Sequence, residues 1–190
     1  MQQDSEVVYV TARLRHSPRH GHAQAFVKMM VPSRAAVDLE TDNGPIRIRD
    51  LKHSVTAKVN NGEIEVKGGT GVKIDLTTNG DVEVSETLGA TVMRAELVNG
   101  SVRFQGSLDN GSHSFRSGNG GIELALPASS SFVIDAVSGN GRVINDFSID
   151  EGGGHRRGRL SGIVGDQPNT NIRARTTNGK IHILRGTAKG

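Results

Sequence analysis

Three histidines, His16, His20 and His22, crowd into one N-terminal stretch with Arg13, Arg15 and Arg19 around them. The spacing His-x-x-x-His-x-His would let imidazoles converge on a transition metal if the segment folded back on itself. A loop bearing Pro18 and Gly21 offers little of the supporting shell that orients metal-bound imidazoles, so a solvated loop is the competing expectation. A second constellation is acidic. Glu63 and Glu65 are followed one repeat later by Asp81 and Glu83. Stacked strands would set these four carboxylates in a square, where like charges about 5 Å apart in water cost only about 1 kcal/mol per pair and a hard cation such as Ca2+ would relieve them. Arg47 and Arg103 flank the square in the same alignment, so a ladder of exposed ion pairs competes with the cation. A third stretch, "GGGHRRGR" at Gly152 to Arg159, has the look of a basic arm that could track phosphates, but no aromatic residues interleave it, and nucleic acid is not an expected partner.

Catalytic signatures fail one by one. The glycines of "SGNGGIEL" lead into a strand pattern, whereas phosphate loops need a following helix N-terminus. No Gly-x-Ser-x-Gly elbow exists, and no nucleophile triad can be assembled from spacing. Zero cysteines remove a disulfide framework, a thiolate metal site and a cysteine nucleophile together. The expectation is a chain with no enzymatic activity and no cofactor. Asn99-Gly-Ser101 and Asn110-Gly-Ser112 match the glycosylation acceptor pattern but read more simply as turns.

Those residues need elements to hold them, and a repeat supplies the elements. The 190 residues include 25 glycines, 5 prolines, 5 phenylalanines, 1 tyrosine and no tryptophan, the composition of a turn-rich chain without a core of large rings. Asn-Gly recurs about every 20 residues, at Asn43-Gly44, Asn61-Gly62, Asn79-Gly80, Asn99-Gly100, Asn119-Gly120, Asn140-Gly141 and, after a double-length gap, Asn178-Gly179. Three residues past each Asn stands a β-branched residue: Ile46, Ile64, Val82, Val102, Ile122, Val143 and Ile181. Five residues past, the pattern is apolar again and fails only at Asn145. Upstream, apolar pairs such as Val55/Ala57, Met93/Ala95, Ile134/Ala136 and Ile172/Ala174 alternate in the same way. Alternation of period two on both sides of a turn predicts two half-buried strands per repeat. At Asn79 the upstream pair, Ile74 and Leu76, is displaced by one residue, which predicts a bulge or a shortened corner. Asn-Gly is expected at such a reversal because both residues tolerate positive φ. Locally the pattern fits a hairpin or a corner. An open meander of so many strands would exceed the roughly 10 that stay open, so a stacked solenoid with hydrogen-bonded Asn amides is favoured.

The stretches "VPSRAAVDLETDNGPIRI", "AKVNNGEIEV", "LTTNGDVEV", "AELVNGSVRF", "IELALPASSSFVIDAVSGNGRV" and "IRARTTNGKIHIL", from Val31 to Leu184, resemble the DUF4097 family of adhesin-like proteins. The resemblance implies an all-β, right-handed, single-stranded β-helix-like solenoid, here of about seven to eight two-strand rungs, in a cell-surface or extracytoplasmic setting. It carries over no catalytic residues.

A stack has open ends that need covering. Glu6 to Arg15 and Ala25 to Val31 alternate like strands and are expected to pair as an N-terminal cap. The resulting division is one solenoid domain over 1–190: capping strands and loop at 1–31, regular rungs at 32–149, a Gly-rich irregular segment with at most one degenerate rung at 150–171, and the last rung and tail at 172–190. The charge balance, 23 basic against 20 acidic, points to no polyanion. No apolar run approaches a membrane span, and "MQQDSEVVYV" lacks the organisation of a signal peptide, which fits a native start or the boundary left by a removed one. The expected function is adhesion or protein interaction at the cell envelope, with a protein or cell-surface polymer as partner and the chain a monomer or weak end-to-end dimer. A carbohydrate-binding or carbohydrate-processing β-helix is the first alternative, and a cytoplasmic scaffold or regulator the second.

Overall fold

A computed structural model describes residues 27–149, 155–156, 158–166 and 168–186. The chain divides into two units, Met1–Val31 and Pro32–Gly190, and every strand among the described residues lies in the second. In chain order these strands are β1 (Val37–Asn43), β2 (Ile46–Arg49), β3 (Val55–Asn61), β4 (Ile64–Lys67), β5 (Lys73–Thr78), β6 (Val82–Ala90), β7 (Val92–Asn99) and β8 (Val102–Leu108). They continue as β9 (Gly111–Asn119), β10 (Ile122–Pro127), β11 (Phe132–Asn140), β12 (Val143–Asn145), β13 (His155–Arg156), β14 (Arg159–Val164), β15 (Thr170–Asn178) and β16 (Ile181–Gly186). No helix among the described residues is long and apolar enough to cross a membrane.

Each Asn-Gly turn passes the chain from one sheet to the other. The first sheet has nine strands in the order β1-β3-β5-β7-β9-β15-β11-β14-β13, and the second has seven in the order β12-β16-β10-β8-β6-β4-β2. All pairings are parallel except those of β14 with β11 and β13. Parallel neighbours that alternate between two sheets mean a coiling chain, with the alternating apolar residues of both sheets turned inward. Ile64, Ile74, Leu76, Val84, Phe104, Phe115 and Leu124 are fully buried there. Each such side chain contributes about 1.5–3 kcal/mol of burial.

The stacking order departs from the chain order. The C-terminal pair β15–β16 inserts between β9–β10 and β11–β12, so that Asn178 stands between Asn119 and Asn140. The amides record the order directly. Asn61, Asn79, Asn99, Asn119, Asn178 and Asn140 each donate Nδ2–H to the Oδ1 of the Asn below, at 3.3, 3.2, 2.8, 2.7, 2.7 and 2.7 Å, beginning on Asn43. The expected amide ladder is therefore present, with its last two members exchanged.

The turns bear out the reason given for Asn-Gly only in part. None of the seven Asn residues has positive φ, and neither do Gly62, Gly80 or Gly141; only Gly44, Gly100, Gly120 and Gly179 do. What the six glycines stacked above Gly44 share is close approach. A Cβ on Gly62, Gly80, Gly100, Gly120, Gly179 or Gly141 would collide with the carbonyl of the glycine beneath it in the stack. The hydroxyls of Thr78, Ser117, Thr176 and Ser138 donate to the carbonyl oxygens of Gly62, Gly100, Gly120 and Gly179 below them, at 2.7–2.8 Å. Thr-Thr-Asn-Gly thus recurs because the hydroxyl satisfies a half-buried carbonyl, the Asn links levels, and the Gly leaves room for the next turn. At Asn79 the corner is shortened: Val59 aligns with Thr78, yet Asn79 still stacks on Asn61.

Two further expectations concern the ends of the stack. Of the strands proposed to cap the N-terminal end, residues 6–15 and 25–26 lie outside the described residues, and 27–31 carry no strand. The segment 150–171, expected to be Gly-rich and irregular with at most one degenerate rung, contains β14, which runs antiparallel on β11 with β13 beside it, so that β11 is not the edge of the sheet. At the same end, Asn145 Nδ2–H donates to the Phe147 carbonyl (2.7 Å), and its Oδ1 accepts from the Phe147 N–H (3.3 Å). That turn explains the polar residue where the repeat expects an apolar one. It swings Phe147 inward, edge-on to Phe132 with ring centroids 5.2 Å apart, under the guanidinium of Arg185.

Candidate functional site

With the inner faces filled, the chemistry is left to the outer ones. On the seven-stranded sheet, Arg47, Glu65, Glu83, Arg103, Glu123 and His182 align across β2, β4, β6, β8, β10 and β16. Glu65 pairs with Arg47 at 3.1 Å and with Arg49 at 3.8 Å, and Arg103 pairs with Glu123 at 3.4 Å. His182 Nε2 lies 3.4 Å from Asp146. One column nearer the turns, the short residues Ser101 and Gly121 separate Asp81 from Lys180. They leave a groove of about 370 Å³, acidic at Glu63, Asp81 and Glu83 and basic at Arg103 and Lys180.

The proposed cation square does not assemble. Glu65 is held by two arginines, and Asp81 turns its Oδ1 to accept from the Ser101 N–H at 2.7 Å. No group of three or more His, Asp or Glu side chains among the described residues is placed to hold a metal ion. Parallel neighbours share a face, as the alignment required, but Glu65 and Asp81 have each found a nearer donor. His16, His20 and His22 lie outside the described residues, as do 152–154 and 157 of the basic stretch. Asn99 is committed to the amide ladder on both sides, accepting from Asn119 and donating to Asn79, so its carboxamide is not free as a glycosylation acceptor.

The outer face of the nine-stranded sheet is the other charged surface. Asp135 on β11 gathers Arg159 at 3.9 Å, Arg173 at 3.9 Å and Arg175 at 3.2 Å. At the far end, Glu40 on β1 accepts from Lys58 at 2.9 Å, which raises the lysine's pKa, chiefly through that hydrogen bond. Inside the same sheet sits His113, a residue that the charge pattern gave no reason to notice. It is buried, its Nδ1 accepts from the Met93 N–H (3.2 Å), and its Nε2 lies 3.0 Å from the Asp109 carbonyl. Both contacts are satisfied by the neutral ring protonated on Nε2. Burial lowers its pKa, against a smaller upward pull from Asp109. Its signal was an exception: six residues before the turn, where other repeats carry Val55, Met93, Ile134 or Ile172, this one carries a histidine.

A protein-family match, to Toastrack DUF4097, spans residues 36–184 and so takes in every Asn-Gly turn and both sheets. The chain belongs to the Toastrack DUF4097 family. No curated protein and no solved structure matches it. The Toastrack match agrees with the resemblance of the repeat itself and encloses both charged faces, the groove and His113.

Proposed function

We propose that this Toastrack domain is a non-enzymatic interaction module that mediates adhesion or protein binding at the cell envelope, with the charged outer faces as its working surfaces. One observation carries the reading. Several acids on those faces pair with neighbouring bases or backbone N–H groups, as Glu65 does with Arg47 and Asp81 with Ser101, in place of converging on a reacting centre. The extracytoplasmic setting rests on the family resemblance. The finer geometry, a right-handed single-stranded β-helix of about seven to eight rungs, belongs to the same proposal and is tested by an experimental structure.

Fractionation of cells expressing the full gene product with a C-terminal tag, with mass spectrometry of its N-terminus, tests the setting. Recovery in the envelope or medium supports it, and recovery in the cytoplasm overturns it. The groove between Asp81 and Lys180 favours one second reading, a carbohydrate-binding module, because its polar lining and small floor residues could admit a sugar. Binding on a glycan array that Lys180→Glu abolishes would favour that reading over a protein partner.

A further inference from the structure

The outer face of the nine-stranded sheet carries opposite charge at its two ends. One column of aligned residues across β1-β3-β5-β7-β9-β15-β11-β14 runs Glu40, Lys58, Thr77, Glu96, Arg116, Arg175, Val137 and Arg159. The next column includes Asp75 on β5 and Arg173 on β15. Arg116 and Arg175 are direct cross-strand neighbours of like charge, which is unfavourable within one chain and, among the described residues, offset only on Arg175, by Asp135 at 3.2 Å. We propose that this face binds a second copy of the chain in an isologous, face-to-face dimer.

Register selects the geometry. A two-fold axis parallel to the strands, between β7 and β9, would turn the partner copy over end for end. Its β14 would face β1, its β15 would face β5, and its β9 would face β7. Glu40 then meets Arg159 of the second copy, Asp75 meets its Arg173, and Glu96 meets its Arg116, beside the pairs each chain already makes, Glu40 with Lys58, Glu96 with Arg94, and Arg159 and Arg173 with Asp135, and symmetry supplies each new pair twice. Neither column sets like charge on like charge. A two-fold axis along the stack would instead place β1 on β1 and β15 on β15, acid on acid and arginine on arginine, which repel. The face also has sufficient area. The eight strands from β1 to β14 that would face one another, about 4.8 Å apart and on average about seven residues long at about 3.3 Å, present about 900 Å² per copy, against the roughly 800 Å² that a stable interface needs. This dimer is face to face, distinct from end-to-end pairing of open strands.

The test is sedimentation of the full chain at about 100 µM in about 20 mM and about 500 mM salt, conditions that change screening strongly. A dimer is expected at the lower salt and a monomer at the higher. Asp75→Arg and Arg173→Asp should each weaken the dimer about tenfold or more, and the two together should restore it. Positions 75 and 173 lie on β5 and β15, which are separated by two strands, so restoration cannot arise from contact inside one chain. Unchanged far-ultraviolet spectra would show that the variants fold. A monomer at low salt, a dimer indifferent to salt, or a double variant no tighter than the single ones would overturn the proposal. A low-salt monomer that is retained on an anionic polymer would assign the arginines to such a ligand instead.

Discussion

Replacing Gly80 by alanine separates two explanations of the repeated glycine that predict effects of opposite sign. Gly80 does not have positive φ, so backbone freedom alone predicts that alanine is tolerated, even stabilising by about 0.4–1 kcal/mol through the unfolded chain. The stack predicts the reverse. The new Cβ would overlap the carbonyl oxygen of Gly62 and lie 2.7 Å from its carbon, both rigid backbone atoms. Levels spaced about 4.8 Å apart would have to open by about 1 Å at this corner. Three hydrogen bonds span that gap: Asn79 to Asn61 at 3.2 Å, Thr78 to the Gly62 carbonyl at 2.8 Å, and the Ile64 N–H to the Asp81 carbonyl at 2.9 Å. At about 0.5–1.5 kcal/mol each, their loss comes to about 1.5–4.5 kcal/mol. Gly71 is the control, since its φ of 64° is left-handed but a Cβ there meets nothing within 4 Å. Its alanine variant should cost only the conformational strain, about 1–2 kcal/mol. Urea denaturation followed by circular dichroism reads both. A Gly80→Ala protein as stable as the parent would refute the close-approach account of the turn.

Ile64→Asp or Val82→Asp should each destabilise the protein by more than about 4 kcal/mol, because both positions are buried and offer a carboxylate no partner; an unchanged thermal midpoint would contradict the inward ladder. His113 makes stability depend on pH. Its folded-state pKa lies below the unfolded value near 6.5, so its contribution is complete above about pH 6.5 and is lost as pH falls towards the folded value, at up to about 1.4 kcal/mol per pH unit. Below that range the parent should lose stability relative to His113→Gln, and parallel pH profiles of the two would show that the ring does not titrate with unfolding.

Much of this fold could be read from residue types, for a local reason. Val55, Ala57, Ile64 and Val66 declare their face by alternation alone, and Asn-Gly marks the turn between them. What could not be read was non-local. Ile172/Ala174 and Ile134/Ala136 are nearly the same pattern, so either strand would stack on Phe115 equally well by sequence, and nothing in the alternation says that β15 precedes β11. The glycine requirement was likewise assigned to only part of its cause: positive φ holds at Gly44, Gly100, Gly120 and Gly179, but the colliding carbonyl belongs to a residue distant in sequence. Leu160 and Val164 did alternate within the segment read as irregular, but the neighbouring glycines outweighed them. For the charged faces, spacing correctly aligned Glu65 with Glu83, yet it could not reveal that Arg49 and the Ser101 N–H would claim Glu65 and Asp81 first.

The order of the last two turns is the central structural claim, and the absence of native cysteines makes it directly measurable. Paired substitutions Arg116→Cys with Arg175→Cys, and Arg116→Cys with Val137→Cys, would be oxidised and mapped by mass spectrometry at a dilution where chains do not meet. Aligned residues on neighbouring strands, about 4.8 Å apart, lie within reach of a disulfide, whereas residues two strands apart, at about 10 Å, do not. The inserted order predicts an intramolecular bond between 116 and 175 and none between 116 and 137. A bond between 116 and 137, with 175 left free, would mean that the chain stacks in simple sequence and that β15 is not inserted.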